Sequence, residues 1–342
     1  MKKVLVVFGT RPEAIKFFPV VKAFQARSDV EVVVCVTAQH REMLDQVLTL
    51  AEITPDIDLN MMRPGQTLPR LTADAISQLS DVVAQVRPDW LLVQGDTTTS
   101  MSAAMAAFYN KVPVGHVEAG LRSGDIYSPW PEEVNRKIVS AIAALHFPPT
   151  EASRENLLRE NIPESAIRVT GNTVIDALLY TQGLLDDPVA MAPYLDALPP
   201  VTPGKKLVLV TTHRREHFDG GLARIFEAVN ELARRDDVEI ILPMHPNPNV
   251  RDAIRTTLAA SPNVKLIEPL QYVPFVWLMA KSQYHPVRFR RGAGGSAFVG
   301  EAGAGSARYD RTPRGRGRRN RATGRHRYGD HSARGAFIAG RR

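Results

Sequence analysis

The residues most able to do chemistry are concentrated in one segment, 116–136, which reads HVEAGLRSGDIYSPWPEEVNR. It contains three Glu, one Asp, two Arg, one His and one Trp. Carboxylates can take up protons and arginines can bind anions. Because the segment lacks the periodicity of a helix or a strand, we expect a loop that carries functional groups.

The elements on either side of this loop should place its charged residues at the edge of a sheet. An apolar run at 112–117 precedes it, so Glu118 is predicted to lie at the carboxyl end of a strand. A helix that starts at Pro131 is expected to contain Glu132 and Arg136. In open α/β sheets, ligands bind outside the carboxyl ends of the strands.

Four other apolar runs also end in ionisable or loop-forming residues. KKVLVVF is followed by Arg11 within the turn GTR, DWLLVQG by Asp96, KLVLVTT by His213 and EIILPM by His245. Five such strand ends converging on one crevice would form an active site. The alternative is that each charged residue only meets solvent at a strand end.

The turn after the first strand has the features of a phosphate site. Gly9 allows a tight turn, and Pro12 suits the first turn of a helix. A helix N-terminus with Arg11 and Lys16 nearby could hold a phosphate, although a plain surface turn is the alternative. The GxGxxG pattern is absent from this turn, which argues against a tightly bound NAD.

The role of Asp96 remains open between two interpretations. With the threonines that follow it, Asp96 could cap a helix predicted over residues 101–109. It could equally belong to the catalytic group at the strand ends.

Composition is typical of a cytoplasmic protein with two α/β domains. The chain has 342 residues, 44% hydrophobic and 23% charged. The single Cys35 lies in the apolar run VVVCV, which favours a packed, reduced thiol over a redox or metal site. No apolar stretch is long enough to span a membrane, and the short apolar run after MKK does not match a signal peptide.

The basic charge of the chain is confined to its C-terminal region. Residues 286–342 contain 15 Arg, no Lys and 3 acidic residues, a net charge of +12. The 28 basic and 33 acidic residues elsewhere give −5. Most of the chain is therefore acidic, although the formal net charge of the whole is +7.

Strands and helices are predicted to alternate in both halves of the chain, which indicates an α/β fold with two Rossmann-like parallel sheets. Strands are expected at 3–8, 30–36, 90–93, 167–170, 206–212, 238–243 and 264–268. Helices are expected at 71–85, 101–109, 221–234 and 249–259, and from 173 onward. The predicted domains are 1–180, 181–283 and a tail at 284–342, with a Pro-rich connection at 188–204.

The tail breaks this pattern and leaves the second domain incomplete. After residue 280 the sequence changes into RFRRGAGGSAFVGEAGAGSARYDRTPRGRGRRNR. One interpretation is a disordered Arg/Gly-rich tail that binds RNA through its charge. The other is translation in a shifted frame: residues 288–296 can be encoded so that a one-base shift reads Asp-Ser-Gly-Gly-Val-Gln-Glu-Glu.

The chain also contains the motifs FGTRPEAIK, TAQHREMLDQ, QGDTTT, GHVEAGLRSGDIYSPWPEEVNR, TGNTVIDAL, TTHRRE and PFVWLM. Together they resemble the non-hydrolysing UDP-N-acetylglucosamine 2-epimerases, over roughly residues 1 to 283. The resemblance implies two Rossmann-like domains facing across a cleft, as in GT-B glycosyltransferases. It also implies a cytoplasmic protein that acts on a UDP-sugar and forms a homodimer if its second domain is intact, with no NAD or metal cofactor and no membrane or nucleic-acid partner.

The reaction implied by the resemblance interconverts UDP-GlcNAc and UDP-ManNAc for surface polysaccharide synthesis. UDP is eliminated to give a 2-acetamidoglucal and is then added back on the other face. Removal of the C2 proton needs a positioned base, and departure of the diphosphate needs cations or hydrogen-bond donors.

Residue roles are carried over only where the motifs match. The resemblance assigns catalytic roles to four residues: Asp96, Glu118, Glu132 and His213. It assigns substrate contacts to five residues, with Phe275 beside the uracil: Arg11, Lys16, Arg136, His245 and Phe275. The family's Ser-Gly-Gly diphosphate loop, expected after Ala280, occurs only in the shifted frame, so we expect little or no epimerase activity from the chain as written.

Two other functions compete with the epimerase interpretation. A GT-B glycosyltransferase would share the fold, but the acid-rich loop argues against it. An RNA-associated protein acting through its basic tail is the alternative from the binding class.

Overall fold

A six-stranded parallel sheet forms the centre of the first part of the chain, with strand order β3-β2-β1-β4-β5-β6. Its strands are β1 (Lys2–Phe8), β2 (Val30–Val36), β3 (Ile57–Asp58), β4 (Trp90–Gln94), β5 (Val114–Val117) and β6 (Leu145–Phe147). This computed structural model describes residues 1–38, 41–63, 65–211, 221–244, 248–258 and 261–282, all within one unit, Met1–Gly303. His213, His245 and the predicted tail at 284–342 lie outside the described residues.

Helices cover both faces of this sheet, which explains why its strands are apolar on both sides. Along β1, Val4, Val6 and Phe8 contribute to one core, and Leu5 and Val7 to the other. The first core is shared with α1 and α2, and the second with α3, α4 and α5. The helices of this part are α1 (Arg11–Gln25), α2 (Arg41–Leu50), α3 (Leu68–Val86), α4 (Thr98–Tyr109), α5 (Glu132–Ile142) and α6 (Glu151–Arg159).

A second parallel sheet has three described strands in the order β7-β8-β9. These strands are β7 (Lys206–Leu209), β8 (Val238–Pro243) and β9 (Val264–Ile267). The remaining helices are α7 (Thr173–Leu184), α8 (Pro188–Met191), α9 (Gly221–Leu232), α10 (Pro248–Leu258) and α11 (Tyr272–Lys281). The predicted α/β class with two parallel sheets is therefore confirmed.

Contacts between helices join the two parts of the chain. Leu50 of α2, Met191 of α8 and Val273 of α11 are buried in one shared apolar cluster. Helix α7 packs against both α1 and α11. The proposed boundary at residue 180 lies inside α7.

The strand predicted at 167–170 is wrong. Only Ile167 forms a bridge, to His146, and the residues that follow are exposed. The physical reason is that β6 ends at Phe147 and is followed by Pro148 and Pro149, which have no N–H to donate to a neighbouring strand.

Two further details differ from the sequence prediction. The connection at 188–204 contains helical turns, α8 and a 3₁₀ helix at Ala192–Ala197, whereas a Pro-rich linker was expected. Proline is tolerated at the start of a helix, so these prolines do not prevent a turn. Strands β3 and β6 were not predicted, since two or three residues carry too little periodicity.

Cys35 is fully buried in β2, as expected for a packed thiol. Burial raises the pKa of this thiol to about 12, so it is not a reactive thiolate. Within the described part of the chain, no helix is both long and apolar enough to cross a membrane.

Candidate functional site

Three turns meet at the carboxyl edge of the first sheet, because β1, β4 and β5 are neighbours in the strand order. They are the turn at 9–10, the turn at 95–97 and the turn that begins at Glu118. Three of the five strand ends that the sequence predicted to converge are these, and the other two lead to His213 and His245, outside the described residues. The candidate site is built on these three turns together with the starts of α1, α5 and α7.

Glu118 lies at the centre of the site and is held by three donors. Its Oε2 accepts hydrogen bonds from Lys16 Nζ and Gln94 Nε2, both at 2.5 Å, and its Oε1 accepts from Asn172 Nδ2 at 2.8 Å. The Glu118 side chain is only 10% exposed. Its backbone φ of 61° lies in the left-handed region, which a non-glycine residue adopts at a cost of about 1–3 kcal/mol and which occurs often at functional sites.

Asp96 forms an ion pair with Arg136, which was predicted as a substrate contact. Arg136 Nη2 donates to Asp96 Oδ2 at 2.5 Å, and Nη1 donates to Glu133 Oε2 at 2.8 Å. Asn135 Nδ2 donates to the Asp96 carbonyl oxygen at 2.9 Å. Burial alone would lower the pKa of Arg136, but the two carboxylates outweigh it and raise that pKa, so the guanidinium stays charged.

Glu133 fixes the loop at 116–136 and was not among the predicted site residues. Its side chain is fully buried. Its carboxylate accepts hydrogen bonds from Ser123 N at 3.0 Å and Gly124 N at 3.3 Å, besides the one from Arg136. Burial acts to raise the pKa of Glu133, but these donors and the Arg136 charge lower it overall. Glu133 is therefore ionised and anchors the loop to α5.

Glu13 connects the turn at 9–10 with the turn at 95–97. Its Oε2 accepts from Gly9 N, Thr10 N and Thr10 Oγ1 at 3.1, 2.9 and 2.8 Å. Its Oε1 lies 2.7 Å from Thr97 Oγ1 and 3.0 Å from Ser100 Oγ. Thr97, rather than Asp96, caps α4, which removes the capping interpretation of Asp96. Glu13 was also absent from the predicted site.

His116 is hydrogen-bonded to the backbone of the turn that contains Asp96. It is fully buried on β5, and its Nε2–H donates to the Gly95 carbonyl oxygen at 2.8 Å. His146 on β6 is its register partner and is equally buried. Burial lowers the pKa of His116 to about 3 and that of His146 to about 4, so both rings are neutral near pH 7.

Two predicted site residues make no hydrogen bond or ion pair with the described residues. Arg11 is half-buried at the first position of α1. Glu132 starts α5, one helical turn before Arg136, and its Oε2 is buried without a hydrogen-bond partner there. A buried carboxylate oxygen without a hydrogen-bond partner costs desolvation free energy. We therefore expect Glu132 Oε2 to bind a proton or a ligand group.

Phe275 takes part in none of the contacts described above. It is half-buried on α11 and packs against a core cluster of the second sheet around Leu207 and Leu278. His213 and His245 lie outside the described residues, so their proposed roles stay predictions. Of the ranges that the structure covers, none holds three or more His, Cys, Asp or Glu side chains grouped as metal ligands.

The sequence predicted where the site lies, but it did not predict which side chains contact one another within it. Gln94, Glu133 and Asn172 lie in quoted motifs but were not selected, because their neighbours at the site come from distant parts of the chain. The assembled groups comprise carboxylates that can exchange protons and cations that can stabilise an anion. This combination suits proton transfer on a substrate that carries negative charge.

Comparisons with known proteins agree with this chemistry. A family profile described as UDP-N-acetylglucosamine 2-epimerase matches residues 22–285. The UDP-N-acetylglucosamine 2-epimerase of Salmonella typhimurium is 53% identical over 279 residues, which is 81% of this chain and 74% of that protein. The match to the family profile ends before the Arg-rich region at 286–342.

Solved structures give the same result. The crystal structure of UDP-GlcNAc 2-epimerase from Neisseria meningitidis bound to UDP-GlcNAc has a TM-score of 0.75 and 50% identity, and the match covers 83% of this chain and 76% of that one. The UDP-GlcNAc 2-epimerase from Methanocaldococcus jannaschii has a TM-score of 0.71 and 30% identity, covering 83% and 78%.

Proposed function

Because this chain belongs to the UDP-N-acetylglucosamine 2-epimerase family, isomerases that act on nucleotide sugars, we propose that its site is built to interconvert UDP-GlcNAc and UDP-ManNAc. The glycosyltransferase and RNA-binding alternatives are not favoured, since relatives at 50–53% identity are named as epimerases. The observation that carries the proposal is the grouping of Glu118 with Lys16, and of Asp96 with Arg136, at adjacent strand ends.

The proposed reaction proceeds through loss and return of UDP. A carboxylate removes the C2 proton, the C1–O bond to UDP breaks, and the electron pair of the C2–H bond forms the double bond of a 2-acetamidoglucal. UDP then adds back at C1 as a proton returns to C2 from the other face. Arg11 and Lys16 would stabilise the charge that develops on the diphosphate.

We assign the proton-accepting role to Glu132. Asp96 is paired with Arg136, and Glu118 accepts from three donors, whereas Glu132 Oε2 is buried and unpaired among the described residues. Its position at the first residue of α5 places it one turn from Arg136, on the same face of the helix.

A deuterium-exchange experiment tests this proposal. UDP-GlcNAc would be incubated in D₂O with the protein translated in the frame that contains the Ser-Gly-Gly loop, and incorporation at C2 and formation of UDP-ManNAc would be followed by NMR. An epimerase introduces deuterium at C2 and a glycosyltransferase does not. Glu132→Gln should abolish exchange, while Glu151→Gln, at the exposed start of α6, should leave it unchanged.

We propose that the chain as written turns over slowly or not at all. Beyond residue 285 the family match ends, and the Ser-Gly-Gly loop expected from the family is present only in the shifted frame. Loss of one donor to a developing negative charge costs roughly 3 kcal/mol in a transition state. Sequencing of codons 278–342 on both strands, followed by the exchange assay on both reading frames, tests this directly.

The two frames give opposite expectations. If a one-base correction near codon 283 restores the loop, the corrected protein should exchange deuterium at C2 and the 342-residue chain should not. Robust turnover by the 342-residue chain would contradict the proposal.

We also propose that the protein, when its second domain is intact, forms a cytoplasmic homodimer that supplies UDP-ManNAc for surface polysaccharides. Phe108 and Tyr109 at the end of α4 are exposed by 59% and 60%, and their rings lie 6.2 Å apart. Such a pair is more favourable when covered by a partner. Light scattering after size-exclusion chromatography of the frame-corrected protein should give twice the mass of one chain.

A further inference from the structure

Glu13 is a buried carboxyl group that the reaction described above does not use. Its side chain is 1% exposed, and none of its hydrogen-bond partners is a cation. A buried carboxylate normally has a cationic partner, because the desolvation of its charge is costly. We infer the charge of Glu13 by counting the hydroxyl hydrogens that are available for the hydrogen bonds around it.

Four oxygen–oxygen contacts connect Glu13 Oε1, Thr97 Oγ1, Ser100 Oγ and the Gln94 carbonyl oxygen. Ser100 Oγ lies 2.6 Å from the Gln94 carbonyl oxygen, 3.0 Å from Glu13 Oε1 and 3.0 Å from Thr97 Oγ1. Thr97 Oγ1 lies 2.7 Å from Glu13 Oε1. If Glu13 is ionised, the two hydroxyl groups supply only two hydrogens to these four contacts.

The assignment of those two hydrogens leaves two contacts without a hydrogen, both made by Ser100 Oγ, to Glu13 Oε1 and to Thr97 Oγ1. The contact between the two hydroxyl oxygens has none in either protonation state of Glu13, so the contact with Glu13 Oε1 is the one that a proton on Glu13 would fill. The Gln94 carbonyl can only accept, so the Ser100 hydroxyl must donate to it over the 2.6 Å contact. The Thr97 hydroxyl then donates to Glu13 Oε1. The 3.0 Å contact between Ser100 Oγ and Glu13 Oε1 would oppose two lone pairs unless Glu13 itself carries a proton.

We propose that Glu13 is a neutral carboxylic acid in the folded protein and a positioning residue that locks the turn at 9–10 to the turn at 95–97. Its proton on Oε1 is donated to Ser100 Oγ, while Oε2 accepts the two backbone N–H groups of Gly9 and Thr10. Burial raises the pKa of Glu13, which acts in the same direction.

A neutral Glu13 has a consequence for the substrate, which rests on the proposed function. An ionised glutamate at the third position of α1 would offset the positive end of the helix dipole. When Glu13 is neutral, the start of α1 and Arg11 keep their full positive potential for a diphosphate.

The ionisable groups on the surrounding elements do not alter this inference. They are Arg11 and Lys16 on α1, Asp96 after β4 and Glu118 after β5, while the first two turns of α4 contain none. No hydrogen bond joins any of them to Glu13 within the described ranges. The nearest polar neighbours are hydroxyl and amide groups, which are neutral.

The test counts protons released on unfolding. A glutamate that is neutral in the folded protein and ionised in the unfolded chain releases one proton on unfolding at any pH between 5 and 7. The ratio of the unfolding constants of the wild-type chain and Glu13→Gln should therefore rise about tenfold per pH unit in this range. The glutamine variant keeps both the acceptor and the donor, so it should fold.

Glu133→Gln is the matched control, because Glu133 is also buried but is paired with Arg136. Its ratio to the wild-type chain should stay flat between pH 5 and 7. A flat ratio for Glu13→Gln as well would overturn the proposal. The urea titrations require no substrate, so their result is independent of whether the chain is an active epimerase.

A second measurement keeps the proposal testable if Glu13→Gln fails to fold. Infrared spectra of the wild-type chain with ¹³C-labelled glutamate should show a protonated carboxyl band at pH 7. Only carboxylate bands at that pH would overturn the proposal. Calorimetric titration with UDP on the same protein tests the proposed diphosphate contacts separately.

Discussion

Asn172 connects the start of α7 to Glu118, 54 residues earlier in the chain. Its Nδ2 donates to Glu118 Oε1 at 2.8 Å, and its Oδ1 accepts from Val174 N at 3.1 Å. One side chain therefore caps a helix and orients a proposed catalytic carboxylate. Its amide supplies both the donor and the acceptor that this requires.

Replacement of Asn172 should separate these two contributions. Asn172→Ala should lower the free energy of unfolding by about 2–4 kcal/mol, from the lost cap and the lost hydrogen bond to a charged group. Asn172→Ser retains a capping oxygen and should lose mainly the stabilisation from the hydrogen bond to Glu118. Urea denaturation measures both. Asp187→Ala, which removes only the cap of α8, should cost about 1 kcal/mol. A serine variant as stable as the wild-type chain would contradict the Glu118 contact.

Arg136→Met should destabilise the protein by about 3–5 kcal/mol, because it leaves the buried Glu133 carboxylate without its cation. Arg154→Met is the control. Arg154 forms ion pairs with three carboxylates, all more than half exposed, and its loss should cost less than about 1 kcal/mol. Equal losses for the two variants in urea denaturation would show that the buried pair is not special.

The buried histidines should make the protein acid-labile. Their folded pKa values, about 3 for His116 and about 4 for His146, lie below the unfolded value, so the unfolded chain binds protons first as the pH falls. The stabilisation is complete above about pH 6.5 and is lost progressively as the pH falls toward 4.

Each histidine should contribute a loss of about 2 kcal/mol between pH 7 and pH 5, since one pKa unit corresponds to about 1.4 kcal/mol. The loss is read from the difference between the wild-type chain and His146→Leu at each pH. That difference should shrink on acidification. A constant difference would mean that His146 is not held neutral by burial.

Two glycines should respond to alanine in opposite directions. A Cβ on Gly9 would lie 2.0 Å from Thr37 Oγ1 and 2.7 Å from Thr99 Oγ1, so Gly9→Ala should cost about 1–3 kcal/mol. Gly183 in α7 has open space around a Cβ, and Gly183→Ala should stabilise the chain by about 0.5–1 kcal/mol. Thermal unfolding of both variants checks the pair, and a neutral Gly9→Ala would contradict the close packing of the turn at 9–10.

Local patterns in the sequence were sufficient to locate most of the elements. The strand at 238–243 and the strand at 30–36 were predicted with the bounds that the structure has. The start of α1 was predicted from Pro12, and the structure adds a complete capping box between Thr10 and Glu13. These features depend on neighbours within a few residues, where periodicity, proline and capping signals act directly.

The choice between adjacent residues depended on the tertiary structure. Glu132 and Glu133 are adjacent in the sequence, yet only Glu133 is fully buried and paired with Arg136. Successive residues of a helix point about 100° apart, so burial depends on what packs against each face. The sequence alone could not tell which carboxylate would anchor the loop.

The order of the strands explains why the sequence located the site but did not identify the contacts within it. Apolar runs that end in charged residues determined, from the sequence alone, that an α/β sheet would gather its site at one edge. Only the folded sheet, by placing β1, β4 and β5 side by side, brought Lys16 to Glu118 across 102 residues and Glu13 to Thr97 across 84. Partners this distant are selected by the packing of the whole sheet, which no local pattern encodes.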